Sequence, residues 1–206
     1  LRDNPACADF EHLTRLRGDA LVHPKLPEEI EAGRSWRRSA TVATTRPRVA
    51  ILRDQGINGQ LEMAAAFTRA GFDAVDVHVS DLEAGRKTLR DVQGLAACGG
   101  FSYGDVLGAG QGWAKSMRYV ATVRAELANW FERTEPYFVL GVCNGCQMLS
   151  GLADLIPGAD AWPTFLGNES ARYEARLVTV QIERSPSLLL TGMEGWHLPV
   201  VVSHGE

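Results

Sequence analysis

A chain of 206 residues with 45% hydrophobic content is long enough to bury an ordinary core and to hold one domain plus a tail. Its formal charge of −4 and pI near 5.8, without a sustained Lys or Arg run, argue against a nucleic-acid or membrane surface and favour a small-molecule substrate. Four cysteines, Cys7, Cys98, Cys143 and Cys146, are too few and too unevenly spaced for a disulfide framework, and no secretory or membrane-spanning stretch is visible, so a cytoplasmic protein is expected.

Residues 1–47 mix charges, prolines and short apolar pieces without a period. They read as a linker from a preceding region, because so long an irregular lead-in is uncommon inside a compact domain; His12 and His23 are expected to be solvated there. From Arg48 short apolar runs alternate with helical periodicity, which predicts βαβ units around a parallel sheet. Val49 to Leu52 is the first strand. Leu61 to Ala70 has helical stripes and is closed by Gly71. Ala74 to Val79 is the second strand, Ser80 and Asp81 cap a short crossover helix, and Leu95 to Cys98 is the third strand. The fold class expected is therefore α/β, an open, mostly parallel sheet flanked by helices, over residues 48–206. In such sheets the site lies at the carboxyl ends of the strands, which directs attention to the loops after Leu52, Cys98 and Val142.

The loop from Gly99 to Gly112, GGFSYGDVLGAGQG, has six glycines in fourteen residues and is suited to close backbone approach. It lacks the lysine and serine of G-x-x-x-x-G-K-[ST] and does not fit G-x-G-x-x-G, which weakens a phosphate-binding reading. Trp113 to Arg133 is expected to be one long amphipathic helix burying Val120, Val123, Leu127, Trp130 and Phe131. Tyr137 to Val142 reads as a buried parallel strand. It runs into Gly141-Val142-Cys143-Asn144-Gly145, whose G-x-C-x-G spacing has the form of a nucleophile elbow. Small residues two before and two after let a strained turn pass its neighbours and leave the reactive atom exposed. The first turn of the next helix favours the thiolate of Cys143. The amides of Gly99, Gly100 and Asn144 are candidates for holding a developing oxyanion opposite it. A buried structural cysteine is the alternative. Beyond Leu149 come an irregular stretch and strand-like runs near Ala175 to Ile182 and Leu198 to Val202, the latter expected in the core.

With Met63-Ala64-Ala65-Ala66-Phe67, Cys98 to Gly110 (CGGFSYGDVLGAG), Gly141 to Met148 (GVCNGCQM) and Val202 to Glu206 (VSHGE), the chain resembles the carboxyl-terminal glutaminase domain of the large single-chain phosphoribosylformylglycinamidine synthases, and more widely the class I glutamine amidotransferases. Leu1 to Pro5 also matches, where the family joins its synthetase region. The resemblance implies that Cys143 attacks the glutamine side-chain amide, that Gly100 and Asn144 supply the oxyanion amides, and that Gly99, Gln147, Ser203, His204 and Gly205 belong to the glutamine pocket. It implies no cofactor or metal in this domain; ATP and Mg²⁺ are expected in the synthetase region, which would be the partner.

A cysteine nucleophile needs a histidine base and an orienting carboxylate. His204-Gly205-Glu206 has H-x-E spacing, but the similar synthases carry these groups in a Pro-His-Pro-Glu segment well downstream of Ser-His-Gly-Glu. No base is therefore assigned, and the chain is expected to be truncated and unable by itself to turn over glutamine efficiently. His197 reads as a strand-entry residue. Cys143 and Cys146 also form C-x-x-C, which leaves thiol redox exchange as a rival, with a non-catalytic docking module as a third reading; a structural zinc site lacks a second ligand pair.

Overall fold

The computed structural model describes residues 45–206; the expected linker lies almost wholly outside them, with His12, His23 and Cys7. The described residues fall into two compact units, one ending at Leu166 and one running from Gly167 to Glu206.

The first unit is built on strands β1 (Arg48–Arg53), β2 (Asp73–His78), β3 (Gly94–Ala97) and β4 (Phe138–Gly141), paired in parallel in the order β2-β1-β3-β4. This is the α/β architecture expected. The apolar runs of β1 and β3 are buried because each has a strand on both sides and helices over its faces, as parallel strands require. Helix α1 (Gln60–Arg69) brings Phe67 to within 5.9 Å of the Phe138 ring, and Phe72 joins them. The preceding residue, Tyr137, instead meets Trp130 and Phe131, consistent with neighbouring residues of an extended chain pointing to opposite faces. Gly94 stands opposite Phe138 in the register, where a Cβ would fall 2.2 Å from the Phe138 ring. The missing side chain makes room for the aromatic cluster.

Four expectations are corrected. The second strand ends at His78, whose ring Nδ1 accepts from the Ser80 amide and caps α2 (Val79–Glu83), so the helix begins before Ser80. The single helix from Trp113 to Arg133 is two, α3 (Gln111–Tyr119) and α4 (Ala121–Phe131), broken where Val120 turns to φ −79°, ψ 108°. Its periodicity survives because both pieces bury their apolar sides on the same core, through Trp113 and Met117 in α3 and Val123, Leu127, Trp130 and Phe131 in α4. Strand β4 is half-buried throughout rather than buried, since it is the edge strand of the described sheet.

The fourth correction concerns the last strands. β5 (Glu174–Gln181) and β6 (His197–His204) form an antiparallel pair of their own, the described part of the second unit. Neither is a core strand; Val201 is 72% exposed. The alternation of small and large apolar residues in the sequence does not reveal whether a run joins the parallel sheet or pairs locally. No helix among the described residues is long and apolar enough to cross a membrane.

Candidate active site

Cys143 stands between β4 and helix α5 (Asn144–Ser150), at φ 54° and ψ −119°. A non-glycine residue with positive φ is strained by about 1–3 kcal/mol and persists only where its surroundings hold it. Here the turn is tied down on both sides. The Val142 amide donates to the Ala97 carbonyl at 3.0 Å, and the Gly145 and Cys146 amides donate back to Val142 and Cys143, each at 2.9 Å. The two flanking glycines are needed for closeness. A Cβ on Gly145 would lie 2.2 Å from the Ala97 carbonyl oxygen, and one on Gly141 would lie 2.7 Å from the Cys146 Cα. The strand-turn-helix therefore packs backbone against backbone, and Cys143 remains exposed at its tip.

The glycine loop after β3 closes on this tip. A Cβ on Gly99 would stand 3.2 Å from the Cys143 Cβ and 3.8 Å from its Sγ, so any larger residue would crowd the thiol. The Gly99 carbonyl accepts from the Asn58 amide at 3.4 Å and the Gly59 amide at 3.0 Å. Because the peptide is trans, the Gly100 N–H points the opposite way, away from those amides. Among the described residues neither that N–H nor the Asn144 N–H, the first of α5, is committed to a backbone carbonyl, as the first-turn position of Asn144 entails. Gly100 has a second reason to be glycine. It bridges Ile57, and a Cβ there would meet the Ile57 Cα at 2.7 Å and the Asn58 nitrogen at 2.8 Å.

Several polar residues that the sequence reading passed over as loop are built into the site. The Asn144 side chain is 1% exposed; its Oδ1 accepts from Ser102 Oγ at 2.7 Å, and its Nδ2 donates to Asp105 Oδ1 at 2.8 Å. Tyr103 and Asp105 both have φ 54°. The Tyr103 hydroxyl donates to Asp54 Oδ2 at 3.0 Å and lies 2.9 Å from Ser116 Oγ, and burial raises its pKa. Asp54 is 5% exposed and also accepts from the Gln55 amide. The signal available beforehand was chemical: an asparagine just inside a buried helix needs partners for both ends of its amide.

Gln147 is buried on α5, where Gly110 passes so close that a Cβ would meet the helix backbone. The remaining pocket candidates lie in the second unit. Ser203 and His204 close β6, two residues beyond the expected strand end; Ser203 Oγ bonds the Tyr173 hydroxyl, and Asn168 donates to the carbonyls of His204 and Gly205 at 2.8 and 3.0 Å. His197 opens the same strand. The thiols differ in character. Burial pushes the Cys98 thiol up to about 12. Cys146 stays exposed, yet the protein packed around its sulfur raises its pKa as well, with Cys143 adding a smaller contribution.

An open parallel sheet carrying a cysteine at a strained strand-to-helix turn, faced by a glycine loop, is an α/β architecture consistent with the class I glutamine amidotransferase fold. Residues 46–206 match the CobB/CobQ-like glutamine amidotransferase domain, and the chain belongs to that family. Its fold is similar to a chain in the structure of PurLQS from Thermotoga maritima, with TM-score 0.59 and 22% identity over 78% of this chain and 68% of that one.

Proposed function

We propose that this domain is the glutaminase part of a phosphoribosylformylglycinamidine synthase of de novo purine biosynthesis, with Cys143 as nucleophile. The observation that carries the reading is the conformation of Cys143, exposed at φ 54° directly against Gly99. The thiolate attacks the glutamine side-chain carbonyl carbon, and the electron pair of the C=O moves to oxygen. The Gly100 and Asn144 amides, directed away from backbone partners, receive that oxyanion. As the tetrahedral species collapses, its nitrogen takes up a proton from solvent and leaves as ammonia, giving a glutamyl thioester, which water hydrolyses to glutamate and free thiol. Gln147 is a pocket residue in this reading, and for Ser203, His204 and Gly205 a glutamine-binding role rests on the sequence resemblance alone. No histidine is assigned as base.

The ammonia is consumed by a synthetase region of the same chain, where ATP and Mg²⁺ drive amidation of formylglycinamide ribonucleotide; neither is assigned to this domain. The support is the family membership together with the sequence resemblance at the glycine loop and elbow. Alkylation of the complete protein with iodoacetamide, followed by peptide mass spectrometry, tests the assignment. Cys143 should label and be protected by glutamine, while Cys98, buried and with its pKa pushed to about 12, should stay unlabelled until the protein is denatured. Labelling of Cys143 that glutamine does not slow, or a native disulfide joining Cys143 to Cys146, would contradict the proposal and favour redox chemistry.

A further inference from the structure

The Asn144 side chain joins the elbow to the glycine loop through contacts that fix both of its ends. The Ser102 N–H, at 3.4 Å, can only donate and Asp105 accepts, which sets the amide orientation by chemistry. Three of the four described non-glycine residues with positive φ lie around this link, Cys143 on one side and Tyr103 and Asp105 on the other; the fourth, Ala171, belongs to the second unit. A second and separate anchor, Tyr103 to Asp54 and Ser116, holds the same loop to the residue after β1 and to the middle of α3. Loosening the first link therefore shifts the loop against the elbow without releasing it from the fold.

We propose that Ser102 and Asp105 are positioning residues for glutamine hydrolysis: acting through the Asn144 side chain, they set the register of the Gly99-Gly100 loop against the cysteine elbow, so that the Gly100 and Asn144 amides converge on one oxygen. The proposal rests on the reading of Cys143 as nucleophile. It goes beyond that reading by assigning two side chains that touch neither the substrate nor the thiol.

The test uses Asp105→Gly, Asp105→Asn and Ser102→Ala in the complete protein. Alanine at position 105 would add strain at φ 54°, whereas glycine and asparagine tolerate that conformation, and asparagine keeps an acceptor oxygen. Five quantities are read: kcat and KM for glutamine hydrolysis, inhibition by glutamate γ-semialdehyde, synthesis from added ammonia, and the thermal midpoint. The aldehyde adds to a thiol and places an oxygen where the oxyanion forms. Asp105→Gly should lower kcat about 10- to 100-fold, the range expected for a displaced donor, with KM within about twofold. It should weaken aldehyde inhibition by the same factor as kcat/KM and leave ammonia-dependent synthesis unchanged, with the thermal midpoint lowered by no more than the few degrees that one unpaired buried amide costs. Asp105→Asn should restore most of the loss, and Ser102→Ala should reproduce part of it. Unchanged kcat and aldehyde affinity in Asp105→Gly would overturn the assignment. So would a loss shared equally by ammonia-dependent synthesis with a midpoint lowered beyond those few degrees, which marks a purely structural role. Failure of the underlying reading is visible separately, as glutamine hydrolysis that survives Cys143→Ala.

Discussion

Replacing Cys143 by alanine in the complete protein should reduce glutamine-dependent synthesis to background while leaving synthesis from added ammonia within about twofold of normal. The expected fall is on the order of 10⁵- to 10⁶-fold, the scale seen when a covalent nucleophile is removed, since no thioester can form. The substitution is small and the turn is held by backbone hydrogen bonds from Val142, Gly145 and Cys146, so the elbow should keep its shape. Cys146→Ala is the matched control. Its thiol pKa is raised by its surroundings, and its loss should cost little turnover. The measurement is paired steady-state rates with glutamine and with ammonium as nitrogen source. Loss of both rates in Cys143→Ala would make the residue structural, and loss of the glutamine rate only in Cys146→Ala would move the chemistry to the other thiol.

The second large effect is expected at Gly145, where one added methyl group has nowhere to go. Its Cβ would stand 2.2 Å from the Ala97 oxygen, 2.5 Å from the Ala97 carbonyl carbon and 2.8 Å from the Cys98 oxygen. All three are backbone atoms of the β3 end, so relief requires α5 to lift away from the sheet. Overpacking costs about 1–3 kcal/mol and occasionally more, and the rigid backbone on both sides places Gly145→Ala at about 3 kcal/mol. Gly158→Ala sets the comparison. Gly158 has φ 79° and an added Cβ would find nothing within 4 Å, so only the left-handed backbone penalty of about 1–2 kcal/mol applies. Hydrogen exchange with mass-spectrometric detection should show Gly145→Ala lowering the opening free energy of the β3, β4 and α5 amides, together with a loss of glutamine-dependent turnover. Protection of those amides equal to the unsubstituted protein would remove the close-packing account of the G-x-C-x-G spacing.

The oxyanion donors illustrate how a sequence expectation changes its meaning in three dimensions. On a purely local argument, a bulky side chain at Gly100 obstructs its amide. The structure adds that a Cβ there collides first with Ile57 and Asn58, so a slow Gly100→Val enzyme would report a displaced loop as much as a blocked donor. Ser102 and Asp105 are better probes, because their contacts end on one side chain.

What the sequence determined by itself is local and periodic. Alternating apolar runs and helical stripes carried the α/β class and all four parallel strands to within one residue at each end, because buried parallel strands and amphipathic helices each impose their own spacing. G-x-C-x-G located the elbow, since only glycine admits backbone approaches as close as those at Gly141 and Gly145. Tertiary structure alone decided the rest. The break at Val120 leaves the hydrophobic period of α3 and α4 almost intact, so periodicity does not register it. The pairing of β5 with β6 depends on long-range partners, to which two apolar runs are indifferent. The links from Asn144 to Ser102 and Asp105, and from Tyr103 to Asp54, span 39 to 49 residues; no local pattern encodes them, because a buried amide demands partners but does not say where in the chain they lie.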